Sequence, residues 1–434
     1  MSIDKFDLLF TPILGGLIAA YLAIFVYYVG ETIIAVPYLD LLQWILRYDQ
    51  YWQAGDWWNY LWLPHNEHRP IWSLLLVLAD IEWCRGTTLP FILFDSFCFL
   101  LTIGGLAWVI WCADLVIELR VILTAAVILL IAGSQAVIYC SLPILSSNIH
   151  TVALLILALV LLDSDSEEGV RPTIRRAAAI AAAVCAAFGI IGGLFAPLML
   201  LWVAWAGGLG RGWLIAIGLI AAILFACFLP GIPTGHLSDL PALSRVAEYY
   251  ISLLGLPWSH AASLVWFGRL AGCVVLGASI ITFFRCGLRA RRLRQVERIG
   301  LASLIFGLLI TAMIALGRWS ELPEQPVPIR YGIYVALAEA GLVLANTRWL
   351  ERVWQKGHRR TFQWGTLAAT ALLLIQQVVA GQAAVVVTSE YKTSYREFVA
   401  GEPTTTDRPV FLERRPVQSE KALAIIRSLG IYQN

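Results

Sequence analysis

Charge is scarce in this sequence. Asp, Glu, Lys and Arg make up 14% of its 434 residues, whereas a soluble domain carries about 25% to keep its surface wetted. The length alone would suit two or three soluble domains; the composition excludes them. Net charge is missing as well, with 31 Lys and Arg against 29 Asp and Glu. That balance argues against a strongly basic nucleic-acid binder and against an acidic disordered tail. No CxxC spacing occurs among the eight cysteines, most of which fall inside apolar runs where cysteine acts as a small hydrophobe. The six histidines are too scattered for a compact zinc site, with one exception, and no HExxH helix signature is present. No internal or inverted repeat is visible, which weakens the case for a carrier built from matched halves.

What the chain has in quantity is apolar surface: 59% hydrophobic residues and a mean hydropathy of +0.75. A membrane crossing takes about 20 apolar residues. Candidate spans lie near 10–30, 89–112, 121–140, 148–162, 177–191, 193–206, 213–230, 264–284, 299–317, 331–347 and 364–387. The first of them has no small-residue cleavage site before the next polar stretch, so it reads as a retained helix, not a cleaved signal. Gly192 and Gly193 mark either a turn between two short helices or a kink in one. The fold class is therefore an all-α polytopic membrane protein of about eleven transmembrane helices.

Orientation follows from the arginines, which stay on the cytoplasmic side of short loops. Three clusters stand out: Arg171, Arg175 and Arg176; the run RARRLR (289–294) with its neighbours; and Arg348 through Arg360. With eleven spans all three share one face. The expected arrangement is a bacterial inner-membrane protein with a cytoplasmic N-terminus, a transmembrane domain over 1–388 and a short periplasmic tail over 389–434. Residues 31–88, 231–263 and 318–330 then also lie outside. The first of these holds a helix along the membrane surface (71–83), with Pro70 suited to its first turn.

Chemistry-bearing residues concentrate in that first outer segment. Asp40 follows the first span closely, where a carboxylate is costly unless it faces a wet cavity. In a partly dry cavity its pKa is pushed up and it can take a proton from an alcohol; the plainer alternative is a helix cap. PHNEHRP (64–70) gathers His65, Asn66, Glu67, His68 and Arg69, a set suited to a metal, a sugar-hydroxyl network or a phosphate. If helical, it puts His65 and Arg69 on one face. Between them, YDQYWQAGDWWNYLW (48–62) suits a membrane interface or stacking on sugar or isoprenoid. Asn148 and His150 stand at an outer helix end.

The order of these parts, an apolar helix, Asp40, Gly55-Asp56-Trp57, then Glu67-His68-Arg69-Pro70 and a surface helix, resembles the GT-C class of polytopic glycosyltransferases. It looks most like the aminoarabinose transferases and protein O-mannosyltransferases. The resemblance implies a GT-C-like fold with a helical outer first loop. It also implies a polyprenyl-phosphate sugar donor, Asp40 as catalytic base, and Glu67 with it in the catalytic set. His65, Asn66, His68 and Arg69 become substrate contacts. Arg318, Arg330 and Tyr331, at the edges of the outer loop GRWSELPEQPVPIRY, would meet the donor phosphate, which a guanidinium suits by donating two parallel hydrogen bonds. Leu41 follows Asp40 where the class often has a second acid, so a divalent metal stays open and no cofactor is certain. The expected partners are the bilayer, the lipid-linked donor and a glycan, lipid or protein acceptor, with no nucleic acid. The competing reading is a transporter or flippase, which calls for charges inside the spans and broken helices.

Overall fold

The computed structural model describes residues 5–34, 40–65, 68–133, 146–162, 170–228, 230, 242–258, 265–318, 329–400 and 416–432. Nearly all of them are helical, as apolar segments in lipid must be when water cannot satisfy backbone groups. The first half contains α1 (Lys5–Thr32), α2 (Asp40–Arg47), α3 (Trp57–Trp62), α4 (Ile71–Cys84), α5 (Leu89–Cys112), α6 (Ile117–Ile131), α7 (Ser146–Leu162) and α8 (Val170–Ala186). The second half contains α9 (Phe195–Ala206), α10 (Arg211–Phe228), α11 (Leu243–Leu254), α12 (Val265–Gly287), α13 (Gln295–Arg318), α14 (Gly332–Ala345), α15 (Thr347–Val353), α16 (Arg359–Ala400) and α17 (Pro416–Leu429). Among the described residues, six helices are long and apolar enough to cross a membrane: those within α1, α5, α10, α12 and α13, and the stretch Thr347–Glu397 that carries α16. Shorter apolar helices occupy Ser146–Leu162, Ile191–Ala206 and Gly332–Ala345. The chain thus has the make-up of a multi-pass membrane protein.

The centre of the bundle is α13, with 61% of its apolar window buried against 17 to 33% in the other five long helices. It lies flush on α14 because Gly300, Gly307 and Gly341 leave no room for a Cβ between the two backbones, the small-residue packing that lets helices approach closely in lipid. By contrast, α10 presents Ile215, Leu219 and Ile223 outward at helical spacing, a stripe suited to acyl chains. Between α8 and α9 the chain makes a tight turn through Ile191–Leu194, not a kink. Gly193 sits against the Ala186 carbonyl where a side chain cannot fit.

Contacts assign each loop to an end of the bundle. At one end Phe10 and Leu14 of α1 pack with Ile122, Trp354 and Leu367, Arg359 pairs with Glu118 at 3.1 Å, and Arg348 of the same basic segment donates to the Arg292 carbonyl. At the other end Trp72 donates to the Cys185 carbonyl at 2.8 Å, and Thr88 donates to the Ile34 carbonyl at 3.1 Å. Two segments depart from expectation. The sequence places all of 231–263 in an outer loop, yet the turn Leu256–Trp258 runs deep into the helices, where Trp258 donates to Glu339 at 2.8 Å and Gln376 donates to the Pro257 carbonyl. The expected boundary at 388/389 falls inside α16, which continues unbroken to Ala400, and α17 then docks on α2.

Candidate active site at the Asp40 end

Asp40 opens α2, a short helix that buries Leu41, Leu42, Trp44 and Ile45 and leaves its first carboxylate half exposed. A carboxylate in a first helical turn is favoured by the unpaired N–H groups there. His65 Nε2 lies 3.4 Å from Asp40 Oδ2. Hydrogen bonding and charge from this imidazole both act to keep the carboxylate ionised. Among the described residues of 64–70 none is helical. His65 and His68 exchange backbone hydrogen bonds of 2.8 and 3.0 Å, which sets the two imidazoles on one side of the chain. Asn66 and Glu67 lie outside the described residues. His68 Nδ1 accepts the Ile191 N–H at 3.3 Å.

Arg330 arrives from the opposite end of the sequence, on the single turn Ile329–Tyr331 that leads into α14. Its guanidinium stacks 5.2 Å over the Tyr331 ring, and Tyr331 packs beside Tyr249, Leu253 and Ala315. Burial pushes the Asp40 carboxyl up. The pairing with His65 and the charges of Arg330 and His68 outweigh it, and the net displacement is below the ordinary carboxylate value. The expectation of an elevated pKa is therefore corrected: cationic neighbours win over partial desolvation. The arrangement is an ionised, half-open carboxylate with two imidazoles and a guanidinium gathered from residues almost 300 positions apart. It can accept a proton from a hydroxyl, and it offers positive charge to an anion.

Two predicted contacts have other employment. Arg69 is buried and spends its guanidinium on the Trp62 carbonyl and, at 2.8 Å, on the Pro230 carbonyl. It also stacks over Trp62 at 4.8 Å. It ties the outer loop to the end of α10 as a strut. Gly55-Asp56-Trp57 is a helix start: Gly55 has φ 79°, and Asp56 caps α3 by accepting from the Asn59 backbone at 3.2 Å. Arg318 ends α13 and is half buried; the charges acting most strongly on Asp40 belong to His65, Arg330 and His68. Among the described residues no three His, Cys, Asp or Glu side chains converge closely enough to hold a metal ion.

The sequence reading missed three polar nodes. The C-terminus is one: Tyr432 donates to Asp80 at 2.6 Å, and the other Asp80 oxygen accepts the Thr88 N–H at 2.8 Å. Gly86, at φ 75°, leaves its absent side chain's place to the Tyr432 ring. Burial raises the Asp80 carboxyl to about 6 against the opposing hydrogen bonds. Since α17 packs on α2, this clasp braces the helix that carries Asp40. The second is Asp95 with His150, 2.9 Å apart and wholly enclosed between α5 and α7. Asn148, on the same turn, accepts from Tyr334 at 2.7 Å. The third is Glu339 beside Trp258. Carboxylates inside the apolar runs FILFDSFCF and VALAEAGLV were the available signal.

Compared with known protein families, with curated proteins and with solved structures, the chain finds no match in any of the three.

Proposed function

We propose that this protein is a GT-C-like glycosyltransferase of the bacterial inner membrane, crossing it about eleven times with the N-terminus cytoplasmic and the C-terminus periplasmic. The donor is a polyprenyl-phosphate sugar reached from the outer leaflet. Asp40 takes the proton of an acceptor hydroxyl, and the freed oxygen attacks the anomeric carbon. The bond from that carbon to the phosphate oxygen breaks, its electron pair leaves with polyprenyl phosphate, and the configuration inverts. Arg330 meets the departing phosphate, while His65, Asn66, Glu67, His68 and Tyr331 orient sugar or acceptor.

The observation that carries this reading is one half-exposed carboxylate with His65 at 3.4 Å and with Arg330 and His68 close enough to act on its charge. A lipid-linked donor needs an anion site beside a base at a membrane end, and this is such a pairing. A general base contributes about 10² to 10⁴ in rate. Purified protein incubated with radiolabelled polyprenyl-phosphate sugars should therefore transfer label, and Asp40→Asn should lower transfer by about that factor. An Asp40→Asn protein of wild-type rate would remove the base from the scheme.

A transporter or flippase is the second reading, favoured by Asp95–His150 and Glu339 inside apolar helices and by the turn at Leu256–Trp258. Label that crosses a vesicle membrane without changing chemical form would support it against transfer.

A further inference from the structure

The arginine clusters at the end of the bundle opposite Asp40 are separate in sequence and joined in space. Residues 285–298 and 348–360 hold eleven Lys and Arg and only two Glu. Both Glu are used to join the segments. Glu297, almost fully buried at the start of α13, accepts the Arg294 N–H at 2.9 Å and pairs with Arg348 at 3.0 Å. Glu351 pairs with Arg294 at 2.9 Å. Arg348 in turn donates to the Arg292 carbonyl at 2.6 Å. A third element joins where Arg291 stacks 5.1 Å over Trp205, at the end of α9.

This leaves a fixed cationic surface. Arg289, Arg291 and Arg292 are exposed and make no ion pair among the described residues. Around them stand apolar side chains open to the surroundings: Leu288 at 87%, Phe284 at 63% and Trp349 at 47% exposure. Guanidinium groups with apolar neighbours at one level match the chemistry of a phospholipid, phosphate above and acyl chain below. Charge keeping a loop on one side of the membrane requires neither the joining of two loops nor the exposed Leu and Phe beside them. We propose that this face binds acidic phospholipid headgroups of the adjacent leaflet, with Arg289, Arg291 and Arg292 as the phosphate contacts. The inference is independent of sugar transfer, because none of these residues lies near Asp40.

The test is thermal unfolding of the full chain in neutral detergent, titrated separately with phosphatidylglycerol, phosphatidylcholine and inorganic phosphate. Phosphatidylglycerol should raise the midpoint by a few degrees, because a ligand that binds only the folded state stabilises it. Phosphatidylcholine and inorganic phosphate should not. The variant Arg289→Gln/Arg291→Gln/Arg292→Gln should lose most of that shift, while Arg245→Gln, on α11, should keep it. If the triple variant does not fold, Arg289→Gln and Arg292→Gln are measured singly, and each should lose part. An unchanged shift in the variants, an equal shift from phosphatidylcholine, or one reproduced by inorganic phosphate would each overturn the assignment.

Discussion

At the basic end of the bundle the carboxylates are outnumbered, and Glu118, Glu297 and Glu351 are each committed to an arginine; at the Asp40 end one carboxylate is shared among His65, His68 and Arg330. Surplus arginines make the first a surface that awaits anions. Shared cations make the second a site where one acid stays ionised and partly open. The interior shows a third use of the same groups: Asp95 and His150 pair with each other almost wholly out of contact with the surroundings. Position relative to water, more than residue type, separates the three.

That contrast is easiest to break at the interior pair. His150→Ala leaves the Asp95 carboxyl buried without its hydrogen-bond partner, which should cost about 1–3 kcal/mol of stability, and adds to that the cost of the cavity left by the ring, read by unfolding in detergent. Asp40→Asn, being half exposed, should stay within about 1 kcal/mol. A His150→Ala protein as stable as wild type would erase the distinction.

Next in size is a pH effect at the C-terminal clasp. The Asp80 carboxyl sits at about 6 in the folded chain, above its unfolded value of about 4, so the folded state holds the extra proton in between. Stability is therefore full below about pH 4 and falls as pH rises through 6, by on the order of 3 kcal/mol. Unfolding midpoints of wild type and Asp80→Asn across that window should diverge and then level off. Parallel curves would show that the clasp does not titrate.

Smaller effects sharpen the comparison. Asp56→Ala removes the cap of α3 and should cost about 1 kcal/mol, whereas Asp56→Asn keeps a capping oxygen and should retain most of that stability. Glu351→Gln at the half-exposed Arg294 pair should cost less than about 1 kcal/mol in stability. Both are measured as shifts in unfolding midpoint, and a Glu351→Gln loss equal to that of His150→Ala would contradict the ordering.

Much of the helical layout was legible in the residues. Runs such as 10–30, 89–112, 213–230 and 299–317 are helices because an apolar stretch of that length has few other stable states in lipid. The helix after Pro70 and the polar gathering around His65 were legible too. Arg69 was not, since nothing local reveals that the carbonyl at Pro230 and the ring of Trp62 claim its guanidinium. The backbone pairing of His65 with His68 was not legible either, because it has no spacing signature of its own. The inserted turn at Leu256–Trp258 was hidden by its polar flanks, and Tyr432 by its place in a tail with no distinguishing pattern.

Composition and the spacing of apolar runs determined by themselves that this chain is a bundle of helices with polar loops gathered at the ends, because periodic burial is a local property of consecutive residues. Which loops meet was decided only by the tertiary structure. Asp40 beside Arg330, Tyr432 on Asp80, and the two arginine segments clamped by Glu297 each depend on how helices far apart in sequence pack, and on glycines such as Gly86 and Gly300 that let them close.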